Sequence, residues 1–210
     1  MNEFMWPDKP NPTAFPVARP GYPLILGCAF TTAVLALLGL TLPTLLALVI
    51  TLFVVYFFRD PDRIVPNAGG TVVSPADGKV IAVETVDETP FYEGGCQKIS
   101  VFMSVFNVHV NRIPFDGAVR KVRHHPGKFF AANLDKASSQ NEHNAVALET
   151  TDHLQLCIVQ VAGLIARRII CYVQPGMELK KGQRYVSCIF LPIPPDFRHM
   201  PGFRSYKNCM

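Results

Sequence analysis

A histidine in the middle of an apolar run is the first residue in this sequence that could do chemistry. His109 lies in "FNVHVNR", where strand-like alternation sets an imidazole among valines. A histidine so placed is either a satisfied core residue or an acid/base group held away from water. A carboxylate able to orient it stands upstream in "SPADGKV", where Asp77 precedes Gly78. Asp77 can equally cap its own turn, the usual work of Asp at such a place. "IARRIICYV" sets Arg167 and Arg168 side by side in a strand, so they face opposite ways. The inward one needs an anionic partner, an internal carboxylate or a bound phosphate. "RDPDR" adds Arg59 and Arg63, which read as a charged stop with a proline turn or as ligands for lipid phosphates. His124 and His125 sit in a basic surface strand, and His143, His153 and His199 read as loop residues. "NEHN", residues 141–144, reads as polar and loop-like.

The elements that must position these groups divide the chain unevenly. Residues 23–58 contain no charged residue. As one straight helix they would span about 54 Å, against a hydrocarbon core of about 30 Å. "GLTLP" at 39–43 offers a break, so the segment reads as a helical hairpin, 24–38 and 44–58, with one long tilted helix or a re-entrant anchor as the alternative. Arg19, Arg59 and Arg63 flank it and place its open end in the cytoplasm by the positive-inside rule. The leader, residues 1–22, holds five prolines and lacks the form of a cleavable signal; it is either disordered or ordered by contact.

From residue 59 onward the texture is that of short strands: "TVVSPADGKVIAVETV" as two strands about a turn, "QKISVFMSVFNVHVNRI" as one or two, "GAVRKVRHH" as another. "HNAVALETTDHLQLCIVQVAGLIARRIICYV" reads as three strands, turning at 151–153 and near Gly163. "QPGMELKKGQRYV" reads as a hairpin framed by Gly176 and Gly182, and "GKFFAANLDKASSQNEH" as a loop or short helix. The fold class is mostly β, a sandwich- or barrel-like domain of short strands preceded by an apolar helical hairpin. The divisions are a leader at 1–22, the apolar segment at 23–58, the β domain at 59–185 and a tail at 186–210.

A formal charge of +4 without a dense Lys/Arg run suits an anionic lipid surface and disfavours nucleic acid. Six cysteines without C-x-x-C spacing read as buried free thiols in a reducing compartment, and no metal site is expected.

Taken in order and spacing, "FFRDPDR", "VVSPADGKV", "ISVFMSVFNVHVNRIPFDGAV", "PGKFFAANLDKASSQNEHNAVAL" and "VQVAGLIARRIICYV" resemble the short-form phosphatidylserine decarboxylases of bacteria and archaea. The resemblance covers about residues 57–184. It implies a membrane-bound proenzyme that cuts itself at a Gly-Ser bond into a large and a small chain. The serine becomes a pyruvoyl group, which acts as electron sink while phosphatidylserine loses CO₂ to give phosphatidylethanolamine. It implies His109 as acid/base and Asp77 as its orienter, with Arg59, Arg63, Arg167 and Arg168 toward the substrate. It implies a phosphatidylserine-containing cell membrane as partner and leaves homo-oligomerisation open; the flanking arginines put the β domain on the cytoplasmic side.

The sequence departs from the family after "KKGQRY". No Gly-Ser pair occurs in it, and the nearest serine, Ser187, follows Val186, whose branched side chain hinders an acyl shift. "LPIPP", residues 191–195, breaks the strand pattern. The expectation is a chain defective in maturation, through a displaced reading frame or as a relative that does not cleave, with Ser187 as a degenerate substitute. The alternative function is a non-catalytic protein of the same fold that binds anionic lipid or a partner.

Overall fold

The computed structural model describes residues 4–8, 16–68, 70–88, 94–130, 140–151 and 153–189. After a 3₁₀ turn at Arg19–Gly21 come α1 (Tyr22–Leu37) and α2 (Thr41–Phe57), an antiparallel stem. The break falls where glycine allows it: Gly39 has φ 71°, open to glycine and costly for other residues. α2 starts three residues earlier than expected, because Pro43 lies in its first turn, where a missing N–H costs nothing. The two helices are tied by a hydrogen bond between the Thr32 and Thr51 hydroxyls, 3.0 Å.

The β domain holds nine strands among the described residues: β2 (Val65–Pro66), β3 (Lys79–Val86), β4 (Cys96–Phe102), β5 (Val110–Arg112), β6 (Gly117–His125), β7 (His143–Glu149), β8 (Gln155–Val161), β9 (Arg168–Cys171) and β11 (Arg184–Ile189), with the two-residue β10 (Glu178–Leu179) making a tenth. β1 (Phe4–Met5), from the leader, pairs with β2. The main sheets run β10-β6-β7-β8 and β5-β11-β9, all neighbours antiparallel. Between them lies a core of Ile113, Val119, Val122, Val146, Leu148, Ile158, Val173, Leu179, Tyr185 and Val186. The register of β6 on β7 shifts between Val119 and Lys121. That irregularity lets Val119 and Val122, three apart, both face the core while Lys121 stays outside.

β3 and β4 form a separate two-stranded ribbon, with Val80, Ile81, Val83 and Ile99 exposed. Of the two strands expected around "SPADG", only β3 forms. Residues 71–78 instead run as irregular chain held to the β5 region by Val73 N to Pro114 O (3.0 Å) and Arg112 N to Pro75 O (2.8 Å). The expected hairpin across 174–186 is also different. β10 joins β6, while β11 joins β5 and β9, because the turn at Gly182 (φ 83°) is bonded across to Ile113 at 2.6 Å and carries the chain from one sheet to the other. His143 is a buried strand residue rather than a loop residue, because β7 starts at that position and pairs it with both His125 and Val161. His153 does sit in a turn, with φ 59°. The loop expected at 127–143 lies partly outside the described residues, as do His199, Cys209 and the chain from 190 onward.

A cluster of charges joins stem to β domain. Asp60, just beyond α2, receives Arg184 Nε at 2.7 and 3.0 Å and Arg112 Nη2 at 3.4 Å. Asp62 receives Arg184 Nη2 at 2.7 Å, and Asp8 from the leader receives Arg184 Nη1 at 3.1 Å. Arg112 also donates to the carbonyls of Pro61 (2.9 Å) and Gly182 (3.0 Å). Removing one member of such a buried group strands the others. Asp60→Ala is therefore expected to cost about 3–5 kcal/mol of stability, read as a lowered denaturation midpoint in detergent; a shift equal to that of the exposed Glu84→Ala would refute the assignment.

Candidate active site

His109 lies where stem and β domain meet. Its ring stacks on Phe57, the last residue of α2, with centroids 4.0 Å apart and planes at 26°. Phe57 belongs to a small core of Ala18, Val54, Phe57, Phe58, Val108 and Val110, backed by Ala166 and Ile170 of the β domain and Leu24, Ile25 and Cys28 of α1. The histidine is 5% exposed, and among the described residues its Nδ1 has no hydrogen-bond partner. Burial is the main cause that pushes its pKa down to about 4; the Asn107 backbone opposes this and the Arg59 charge adds to it. The ring is therefore neutral at ordinary pH and able to accept a proton.

Asp77 has its own partner: its carboxylate is bound by Arg63 at 2.7 Å, both side chains well exposed. Among the described residues Asp77 forms no hydrogen bond with His109. The two are in neighbouring segments, since Pro75 accepts from Arg112, three residues beyond the histidine. Gly78 is needed here: a Cβ at that position would run into the Phe102 carbonyl. Ser187 is in β11, opposite Val110 on one side and Ile170 on the other, 4% exposed. The next residue, Cys188, donates its N–H to the His109 carbonyl at 3.0 Å. Ser187 thus lies beside the histidine's strand, yet mid-strand, behind a fully buried Val186.

The arginines divide. Arg59 donates to the Phe106 carbonyl (2.6 Å) and the Tyr56 carbonyl (2.9 Å) and lies 3.9 Å over the Tyr56 ring. Arg168 meets an internal carboxylate, Glu142, at 3.8 Å. Arg167 is exposed, donates to the Leu164 carbonyl at 2.8 Å and reaches toward the Phe129 ring.

Two groups that sequence reading passed over are central. Asp60 and Asp62 were hidden inside a motif that reads as a basic stop. Glu142, in "NEHN", is buried, receives the Ile169 N–H at 3.3 Å and lies 3.4 Å from His124 Nε2. Beside it the Asn141 amide donates to the carbonyls of Phe130 and Ala162, both at 2.8 Å, and accepts the Phe130 N–H. A polar run set between strand-like segments was the available signal.

The site is thus a buried neutral histidine at the root of an apolar stem, with arginines on the surface around it, an arrangement suited to an enzyme whose substrate is amphiphilic. The model of the phosphatidylserine decarboxylase family matches residues 50–198. The phosphatidylserine decarboxylase proenzyme of Desulfotalea psychrophila is 46% identical over 186 residues, 86% of this chain and 87% of the relative. That of Geobacter sp. strain M21 is 49% identical over 179 residues, 82% and 81% of the two chains, and that of Ralstonia nicotianae 50% over 172 residues, 80% and 78%. The chain belongs to the phosphatidylserine decarboxylase family.

The depressed pKa of His109 carries a pH dependence. The unfolded chain takes up the proton near 6.5 and the folded chain only near 4, so unfolding binds a proton between those values. Stability is full above 6.5 and falls by about 3 kcal/mol as pH drops to 4. His109→Phe should remove that component; denaturation midpoints of both proteins at pH 7.5 and 4.5 test it, and parallel losses would contradict it.

Proposed function

We propose that this chain is a phosphatidylserine decarboxylase proenzyme of a cell membrane, and that maturation at Ser187 is blocked. The reaction is loss of CO₂ from the serine headgroup and its replacement by a proton, giving phosphatidylethanolamine. The family match, near half identity over four-fifths of the chain, carries the reaction class. In this reading the exposed guanidinium groups of Arg63 and Arg167 and the half-buried one of Arg59 bind the headgroup anions, with Arg168 beside them. His109, kept neutral by burial, holds or moves the proton, and Asp77 orients it through a rearrangement that releases Arg63. Arg19, Arg59 and Arg63 put the β domain on the cytoplasmic side.

The pyruvoyl group of the family supplies the electron sink when it is present. The residues here do not fit its formation. Ser187 is mid-strand, hydrogen-bonded into neighbours on both sides, and preceded by buried, β-branched Val186 where a small residue would let the hydroxyl attack. No step is therefore drawn through that group. The same geometry favours a second reading, a non-catalytic member of the fold that still binds anionic lipid.

The test is the intact mass of the full chain after incubation with phosphatidylserine vesicles, with phosphatidylethanolamine measured alongside. One uncut chain and no phosphatidylethanolamine are expected. A chimera that takes the Desulfotalea psychrophila proenzyme's C-terminal segment after Tyr185 should give two chains and product. Two chains from the native sequence would overturn the blocked maturation. An uncut chimera that binds vesicles without product would favour the second reading, as would vesicle binding that survives His109→Ala with no decarboxylation by native chain or chimera under any condition.

A further inference from the structure

The far end of the stem has no polar exit. α1 and α2 have 16 and 17 residues, about 24 and 26 Å at the helical rise, against a hydrocarbon core of about 30 Å. α1, taken with the 3₁₀ turn before it as Arg19–Leu37, is apolar and long enough to count as a membrane span by length and composition; α2 is shorter. Part of that length is used by the β domain itself. Phe106 packs edge-on against Phe53 at 6.5 Å, and its carbonyl takes hydrogen bonds from Arg59 and, at 3.3 Å, from Tyr56. Phe53 lies one turn inside the end of α2, so only about 18 Å of helix remain from there to Thr41.

The turn is built for an apolar solvent. Leu37 is 88% exposed and Leu42 79%, with Leu38 and Leu40 also open. Residues 23–58 carry no charge. Four backbone donors around the turn are closed internally: Leu38 N to Val34 O, Gly39 N to Ala36 O, Leu40 N to Leu35 O and Thr44 N to Leu40 O, all 2.9–3.1 Å. The hydroxyls of Thr31 and Thr44 each donate to the carbonyl four residues back, and those of Thr32 and Thr51 divide their two protons between each other and the carbonyls of Cys28 and Ala47. Hydrocarbon demands such internal satisfaction and water does not. Anchoring residues stand at one end only: Arg19, Tyr22, Tyr56 and Arg59 at the base, against none at the turn. Helices that span a bilayer carry such anchors at both interfaces.

We infer that the stem is a re-entrant hairpin, seated in a phospholipid bilayer from one face, turning at Gly39 near the bilayer centre and leaving by the face it entered. Phe106, Leu164 and Ile165, all exposed on the β domain next to the base, press into the headgroup layer around it. Arg19, Arg59 and Arg167 at that level meet anionic lipid. The inference rests on the membrane seat proposed above and goes beyond it: both ends of the hairpin lie on one side, and nothing of the hairpin reaches the other.

Depth-dependent fluorescence quenching tests this. The sequence has a single tryptophan, Trp6, so Trp6→Phe gives a silent background for Leu40→Trp and, separately, Leu42→Trp. Both sites are exposed, so the larger ring displaces no packed neighbour. In vesicles of phosphatidylserine and phosphatidylcholine, quenching labels at the acyl-chain ends should quench both tryptophans most, and iodide on either side of the bilayer should quench neither. Quenching by iodide trapped inside the vesicles, or strongest quenching by headgroup labels, would show a turn that emerges and overturn the inference. Failure of the chain to float with the vesicles would overturn it too. Phosphatidylethanolamine is scored in the same vesicles: its absence with a deeply quenched turn leaves this topology standing and speaks only against the reaction.

Discussion

Asp60 sits at the exit of α2 beneath arginines from two different strands, and the placing of the β domain on its stem depends on that contact. Burying charge is costly unless each group finds partners, and here Asp8, Asp60 and Asp62 share Arg112 and Arg184. Arg184 meets three carboxylates with its three nitrogens, Nε to Asp60, Nη1 to Asp8 and Nη2 to Asp62, which fixes the plane of its guanidinium as well as its position. The leader adds a second clasp, with Ala18 N bonded to Phe58 O at 2.8 Å and Asp60 N to Pro16 O at 2.9 Å. The two open ends of the hairpin are thus held together and to the sheet at one level.

That level is where the histidine lies. Because α2 ends against the sheet at a fixed angle, Phe57 is delivered to the face of His109, and the ring is dry because the stem covers it. The apolar anchor and the acid/base candidate are one packing unit rather than two separate modules. The charges around it are graded by burial. Arg112 and Arg184 are spent on structure, Arg168 leans on Glu142, Arg59 is half-buried against Tyr56 and the Phe106 carbonyl, and Arg63 and Arg167 are exposed.

Local pattern made much of this readable. A chargeless run with a glycine at its middle favours a hairpin, and the spacing of Leu156 and Ile158 in β8 reports the core, while in β6 the register shift sets the core residues Val119 and Val122 three apart. The ends of α2 shifted only because proline is harmless in a first helical turn. What local pattern does not encode is which sheet a strand joins: "GMELKKGQRYV" has the glycines of a hairpin, yet its two strands part to different sheets. Polarity misled in "NEHN", since Asn141 and Glu142 are polar because they satisfy buried backbone groups, not because they face water. In "RDPDR" the carboxylates find their partner in Arg184, more than a hundred residues on, a separation no motif displays. The candidate histidine was readable from its setting; its cover, Phe57, was not, because it belongs to a segment that reads only as lipid anchor.

The β3–β4 ribbon has a different consequence. Among the described residues these two strands pair only with each other, which is marginal on its own, and the Glu84–Lys98 ion pair across them, 3.8 Å and open to solvent, adds little. Its valines and isoleucines face outward on a pair of free edges, while the sandwich beside it is closed on a continuous core. The molecule therefore has two levels of local stability. Amide protons of residues 79–86 and 96–102 exchange through opening of the ribbon alone, and those of β6, β7 and β11 wait for the whole domain. During synthesis and storage the ribbon is the segment most ready to pair with a strand from another chain.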